Sequence, residues 1–294
     1  MKVDLHPQLP AVLTVLLDIS GTVDICTNSL VVYLIIFKSP ALKSFRYYLL
    51  YSQLNTAVVD VYLAFLMKPV PIFPAMGGYT TGILATWFGI SSHVQMTIMI
   101  FNMGMQAVAI FQTFLAKHQA IVSIDRRRVL RKLFYWGLVG IGYFLTIVTI
   151  VLYYLGDISK EQQVEYIRKN IPELEQILMS HPSLDIYDRN ANPLILYACC
   201  MLFFGPVLGF TSVSVLSFDI ILILRRHKSV SSNRNIKQHR DIFRSIFAQF
   251  LVISFCFLPP TTVIIFIIFE VPNTQELMSQ KKILSAKHFE DHGI

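Results

Sequence analysis

The chain has 294 residues, of which 54% are hydrophobic and only 15% charged, so it has too few polar side chains to clothe a soluble domain whose helices cannot be buried on every face. Its formal net charge of +7 does not mark a nucleic-acid binder. The basic residues lie in short segments beside apolar stretches, and no window interleaves them with aromatics as a strand-binding groove requires.

Six apolar stretches follow one another at roughly 11–37, 47–67, 84–115, 133–155, 193–224 and 242–269. Each reaches the ~20 residues an α-helix needs to cross a ~30 Å hydrocarbon core. A bilayer offers no water to unpaired backbone groups, so only helices or closed barrels span it, and these stretches are too long and too uniformly apolar for barrel strands. The predicted fold class is an all-α polytopic membrane bundle of six transmembrane helices over residues 1–270, with a polar tail at 271–294. The opening MKVDLHPQLP lacks the basic start and small-residue cleavage site of a removed signal peptide, so the first span is expected to stay attached.

The first two spans carry Asp24, Asn28 and Asp60. Ionisable groups at mid-membrane cost about 2.5–3.5 kcal/mol on insertion scales and normally face a bundle interior. Asp24 lies fourteen residues before Lys38 and Asp60 fourteen after Arg46. Both carboxylates therefore stand about 21 Å from the same basic end, in adjacent antiparallel helices. Two readings stay open: a pair that shares a proton or holds a cation, or two residues facing a water-filled vestibule. Asn28, one turn from Asp24, reads as an interhelical hydrogen bond. The second loop is rich in proline and glycine: Pro69, Pro71 and Pro74 precede Gly77, Gly78 and Gly82. The third span closes on Lys117 and His118, either snorkelling to the interface or offered to a signalling partner.

Gly137, Gly140 and Gly142 in the fourth span read as a close-packing stripe. In the fourth loop, 156–192, Val164, Ile167, Ile171, Leu174 and Leu178 recur at helical spacing on one face, and Pro172 divides them between two short helices. This segment is either a lid over the bundle mouth or a partly ordered loop on the bilayer rim. Cys26, Cys199, Cys200 and Cys256 all fall within spans and say nothing of redox compartment. Pro259-Pro260 in the sixth span removes backbone donors and is a candidate hinge. After Glu270 no apolar run exceeds two residues, so a seventh span is not expected.

Lys and Arg concentrate in the odd loops. The first carries Lys38, Lys43 and Arg46; the third Lys117, Arg126, Arg127, Arg128, Arg131 and Lys132 against Asp125; the fifth Arg225, Arg226, Lys228, Arg234, Lys237 and Arg240. The second has only Lys68, and the fourth holds seven acids against four basic residues. Odd loops are therefore expected in the cytosol and the N-terminus outside. No HExxH, Gly-x-Ser-x-Gly, Walker or dinucleotide signature occurs, and His93, His118 and His181 have no i, i+4 partner, so neither an enzyme, a zinc site nor a cofactor is expected.

Five strings carry a family resemblance: SFRYYLL at 44–50, KPVPIFP at 68–74, GGYxxGIL at 77–84, KHQA at 117–120 and FLPP at 257–260. Over roughly 10–270 the chain resembles the nematode serpentine chemoreceptors, particularly serpentine receptor class I, with class H as a close relative. The resemblance implies a seven-helix G-protein-coupled receptor on the plasma membrane of sensory neurons, binding small environmental molecules. It implies a heterotrimeric G protein as partner, with Lys117, His118, Arg126, Arg127, Arg128, Arg225 and Arg226 as cytosolic coupling contacts. The chain departs from that pattern where the seventh span should follow, and a bundle without it is expected not to signal as a monomer. Two alternatives remain: an ion- or proton-coupled transporter using Asp24 and Asp60, and a non-signalling membrane protein that assembles with full-length receptors.

Overall fold

The computed structural model describes residues 9–39, 42, 44–72, 75–124 and 131–226, together with positions 243, 244, 247, 248 and 251. Among these residues five helices are long and apolar enough to cross a membrane: Pro10–Lys38, Phe45–Met67, Ser92–Ser123, Lys132–Leu155 and Leu194–Arg225. The first is α1 (Leu9–Tyr33) ending in a wider π-turn, Leu34–Lys38. The second is α2 (Phe45–Val61), which ends in the same way over Tyr62–Met67. A single turn, α3 (Ile83–Thr86), precedes α4 (Ser92–Ile124), and α5 (Lys132–Leu155) follows. Two short helices, α6 (Lys160–Asn170) and α7 (Glu175–Ser180), lead to the long α8 (Leu194–Arg226).

Several hydroxyls within the apolar helices are satisfied by the turn before them. Thr22 donates to the Asp18 carbonyl at 2.8 Å, Thr149 to Leu145 at 2.8 Å and Thr211 to Val207 at 2.8 Å, so no lone donor faces lipid at these positions.

The bundle is organised around α4, which packs on α2, α5 and α8. Half of its most apolar stretch is buried, against 6% for α1, which leans chiefly on α2. Two glycines permit the closest approaches. A Cβ at Gly104 would stand 2.3 Å from Thr146 of α5, and one at Gly21 would stand 2.4 Å from Ala64 of α2's last turn. The expected stripe on α5 is largely elsewhere: Gly137 and Gly140 face open space, and only Gly142 approaches α4, at Val108.

The third span begins later than its hydropathy suggests. Expected from residue 84, it starts at Ser92, because Gly89 at φ +63° turns the chain between the α3 turn and α4. Hydropathy reads through this corner because both sides of it are apolar. The expected sixth span, 242–269, falls mostly outside the described residues, as do Pro259, Pro260 and the tail. Where described it returns to the bundle, with buried Phe243 and neighbouring Phe247 packing against Phe114, Ile121, Val213 and Ile220.

The second and fourth loops fold together at one end of the bundle. Strands β1 (Pro69–Pro71), β2 (Gly77–Thr80) and β3 (Asp185–Ile186) form an antiparallel sheet in the order β1-β2-β3. Val70 pairs with Tyr79, and Gly78 pairs with Asp185. Ser159 opens α6 with a capping box, accepting from the Gln162 backbone while the Gln162 side chain accepts from Ser159 N–H. Pro172 then separates α6 from α7 through one tight turn, Pro172–Leu174. Ile167, Ile171 and Leu174 are buried against Val70, Ile72, Tyr79, Leu184 and Ile186, with Leu178 beside them and Val164 left on the open face. The apolar stripe of the fourth loop thus rests on the second-loop sheet, and the two make a cap with its own core.

Candidate functional site

The cap meets the bundle through a buried carboxylate. Asp185, only 2% exposed, is brought by β3 to the first turn of α4. Its Oδ2 accepts from the His93 backbone N–H at 2.7 Å, where the helix leaves an unpaired donor and a partial positive charge. Its Oδ1 accepts from Lys160 Nζ at 2.5 Å and from Gln163 Nε2 at 3.4 Å. Lys160 also donates to the Leu184 carbonyl at 2.9 Å. One acid therefore ties β3, α6 and α4 together.

The His93 side chain continues the junction into α5. Its Nε2 lies 3.1 Å from the Tyr154 carbonyl, which can only accept, so Nε2 carries the proton. Nδ1 lies 3.0 Å from the Tyr187 hydroxyl, which shares a second hydrogen bond with the Tyr153 hydroxyl at 2.6 Å. The His93 and Tyr153 rings stack at 5.1 Å. Burial, with Tyr153 alongside, pushes the Tyr187 hydroxyl well above its ordinary range and keeps it a donor. Gln95, two residues on, donates to Thr80 Oγ1 at 2.9 Å, and Ser183 donates to the Thr80 carbonyl at 3.0 Å.

Within the bundle, Asn28 Nδ2 donates to Asp60 Oδ2 at 2.8 Å and Asn28 Oδ1 accepts from Gln53 Nε2 at 2.6 Å. Asn28 is thus the interhelical bond, and it, rather than Asp24, holds the hydrogen bond to Asp60. Asp24 lies part-buried one turn away on α1. A second α1 carboxylate, Asp18, pairs with Lys68 at 2.5 Å just beyond α2.

At the opposite end of α4, His118 Nε2 lies 2.8 Å from Asp219 Oδ2 of α8. Lys117 is 3% exposed, and its ammonium stands 5.1 Å over the Phe45 ring. It does not snorkel, because α4 runs on to Ile124 and leaves Lys117 inside the packed helix. Arg225 is exposed near the end of α8 and Arg226 is the helix's last residue; Arg126, Arg127 and Arg128 lie outside the described residues.

These networks join helices at both ends and in the middle of one membrane bundle. The family described as serpentine type 7TM GPCR chemoreceptor Sri has a sequence model that matches residues 1–288. The chain belongs to the Sri family. No curated protein matches it. As a member of the Sri family it is a multi-pass membrane protein, and the match spans the five helices, the cap and the residues that follow α8.

Sequence reasoning missed two of the Sri chain's junctions. Asp185 is one of seven acids in its loop and was singled out by nothing but its aliphatic neighbours, Leu184 and Ile186. Asp219, an acid inside an apolar span, carried the same signal as Asp24 and Asp60 and could have been found by it.

Proposed function

We propose that this Sri chain is a G-protein-coupled chemosensory receptor for small environmental molecules, carried on the plasma membrane of sensory neurons. The observation that carries this reading is the family match over residues 1–288. The N-terminus and cap face outward and the basic loops inward, which rests on the alternation of Lys and Arg along the sequence. The ligand acts by population shift, favouring the bundle state it binds better, and α4 is the element that links the capped end to the His118–Asp219 end. Lys117, His118, Arg126, Arg127, Arg128, Arg225 and Arg226 are the cytosolic coupling contacts that the family resemblance implies. Burial of Lys117 assigns it to holding α4 against α2, while Arg225 is free to touch a partner.

The test is second-messenger output to an odorant panel in cells that display the chain, with Ser231→Cys labelled on intact cells in parallel. A concentration-dependent response that needs the G protein, with Ser231→Cys unreactive from outside, is the expected result, and from this chain alone it would set aside the expectation that the bundle does not signal as a monomer. A surface-displayed chain with no G-protein-dependent response to any ligand that binds it would overturn the receptor reading, and outside labelling would overturn the orientation.

A further inference from the structure

The corner between the cap sheet and α4 has a surface no junction above uses. Residues 83–90, ILATWFGI, contain no charged side chain, and Trp87 and Phe88 are 79% and 68% exposed. The corner is well built. Gly82 N–H bonds the Met67 carbonyl at 3.0 Å, Trp87 N–H bonds Ile83 at 3.0 Å, and Ile90 N–H bonds Leu84 at 3.0 Å. Leu84 packs on Val59, Tyr62, Met67 and Met99, so the inner side of the turn is seated on the bundle while the two aromatics point away.

The level of this corner can be read from the helices beside it. Met67 ends the apolar stretch of α2, and α3 rests on that last turn. On α5, exposed Trp136 and Tyr154 are eighteen residues apart, or about 27 Å along the helix, close to the ~30 Å depth of a hydrocarbon core. Tyr154 is bonded through its carbonyl to His93, in the first turn of α4, and so marks the end at which Trp87 lies. Exposed Tyr197 opens α8 at that end too, while Phe37, Tyr47 and Trp136 are exposed at the other. Amphipathic aromatic rings collect at both borders of a bilayer, where an apolar body meets a hydrated headgroup.

We propose that the α3 turn is a lipid-interface anchor, with Trp87 and Phe88 seated in the headgroup and upper acyl region of one leaflet. The anchor tethers β2 of the cap to the bilayer, independently of the Asp185 junction that tethers β3 to α4. An uncharged corner with two exposed rings at the border of the hydrocarbon fits lipid better than water, because no ionised group is desolvated when it inserts.

The chain has two tryptophans, which makes the test direct. The 294-residue chain is placed in phosphatidylcholine nanodiscs as wild type, Trp136→Phe and Trp87→Phe. Trp87 emission is read from Trp136→Phe alone and, should that variant misfold, from the difference between wild type and Trp87→Phe. The expected result is blue-shifted emission, quenched strongly by lipids spin-labelled near the headgroup, weakly by lipids labelled at the acyl terminus, and little by aqueous iodide. Red-shifted emission quenched by iodide and not by lipid would put the corner in water and overturn the anchor. Emission reached by neither quencher would mean that protein covers it, and strongest quenching from the acyl terminus would mean deep insertion; each overturns the proposal too.

Discussion

Asp185 and Lys160 form an unequal pair, and the inequality sets what their substitution does. The carboxylate side chain is 2% exposed and the ammonium side chain 51%. Removing Lys160 leaves a buried acid with only the His93 and Gln163 N–H groups, whereas neutralising Asp185 leaves an amine that can turn to water. We expect Lys160→Met to destabilise the cap by about 1–3 kcal/mol, the range for a buried group left short of partners. Asp185→Asn, whose amide oxygen can still accept from His93 N–H, should lose less, and the double variant should lose less than the sum. Hydrogen exchange along α6, compared among the three variants, measures this; a larger loss for Asp185→Asn than for Lys160→Met would contradict it. Depth arithmetic on the sequence puts Asp60 level with Asp24, whereas in the structure the hydrogen bond to Asp60 comes from Asn28, one turn away, at 2.8 Å. It could not find Asp185, because a helix-capping contact to His93 spans 92 residues of chain and leaves no local pattern.

Helix periods and breakers carried the elements well where one rule acted alone. The division of the fourth loop at Pro172 and the inward face of Ile167, Ile171 and Leu174 follow from spacing and from the missing proline N–H. The third span departs from its hydropathy at both ends. The apolar corner before Ser92 is not part of α4, and α4 runs past Lys117 to Ile124. The glycine stripe holds only at Gly142, against Val108: three small residues on α5 say that a close approach is available, not that a neighbour uses each of them. Gly104, one position on the facing helix, is where α4 and α5 meet. Gly104→Val should therefore force α4 from α5 at Thr146 and lower stability by about 1–3 kcal/mol, as overpacking does in other cores. Gly137→Val meets nothing within 4 Å and should be near neutral. Thermal unfolding of the two variants in the same detergent tests this, and equal midpoints would show that the α4–α5 contact is not close-packed at Gly104.

At the scale of the molecule, α4 spans the bundle from the cap to α8. Its 33 residues reach about 50 Å, with the Asp185–His93 contact at one end and His118–Asp219 near the other. A helix held at both ends transmits displacement only if one holding contact differs between the two states of the bundle, since a ligand shifts an equilibrium only by its differential affinity. The His118–Asp219 pair is the contact whose loss leaves the rest of the packing intact. Phe114, Ile121, Ile220 and Ile223 still join α4 to α8 around it. A hydrogen bond to a charged group is worth about 1.5–3 kcal/mol, and the 43% exposure of Asp219 puts this one near the lower end. If the pair belongs to the resting state, its removal should raise the active fraction by up to about tenfold, the change that 1.4 kcal/mol makes in an equilibrium. His118→Ala and Asp219→Ala are then expected to raise ligand-free second-messenger output, normalised to surface display, in the same direction. The double variant should go no further than either single one, because both remove the same contact. Additive increases would mean that the two residues act separately, and unchanged basal output with lowered thermal stability would assign the pair to holding the fold alone.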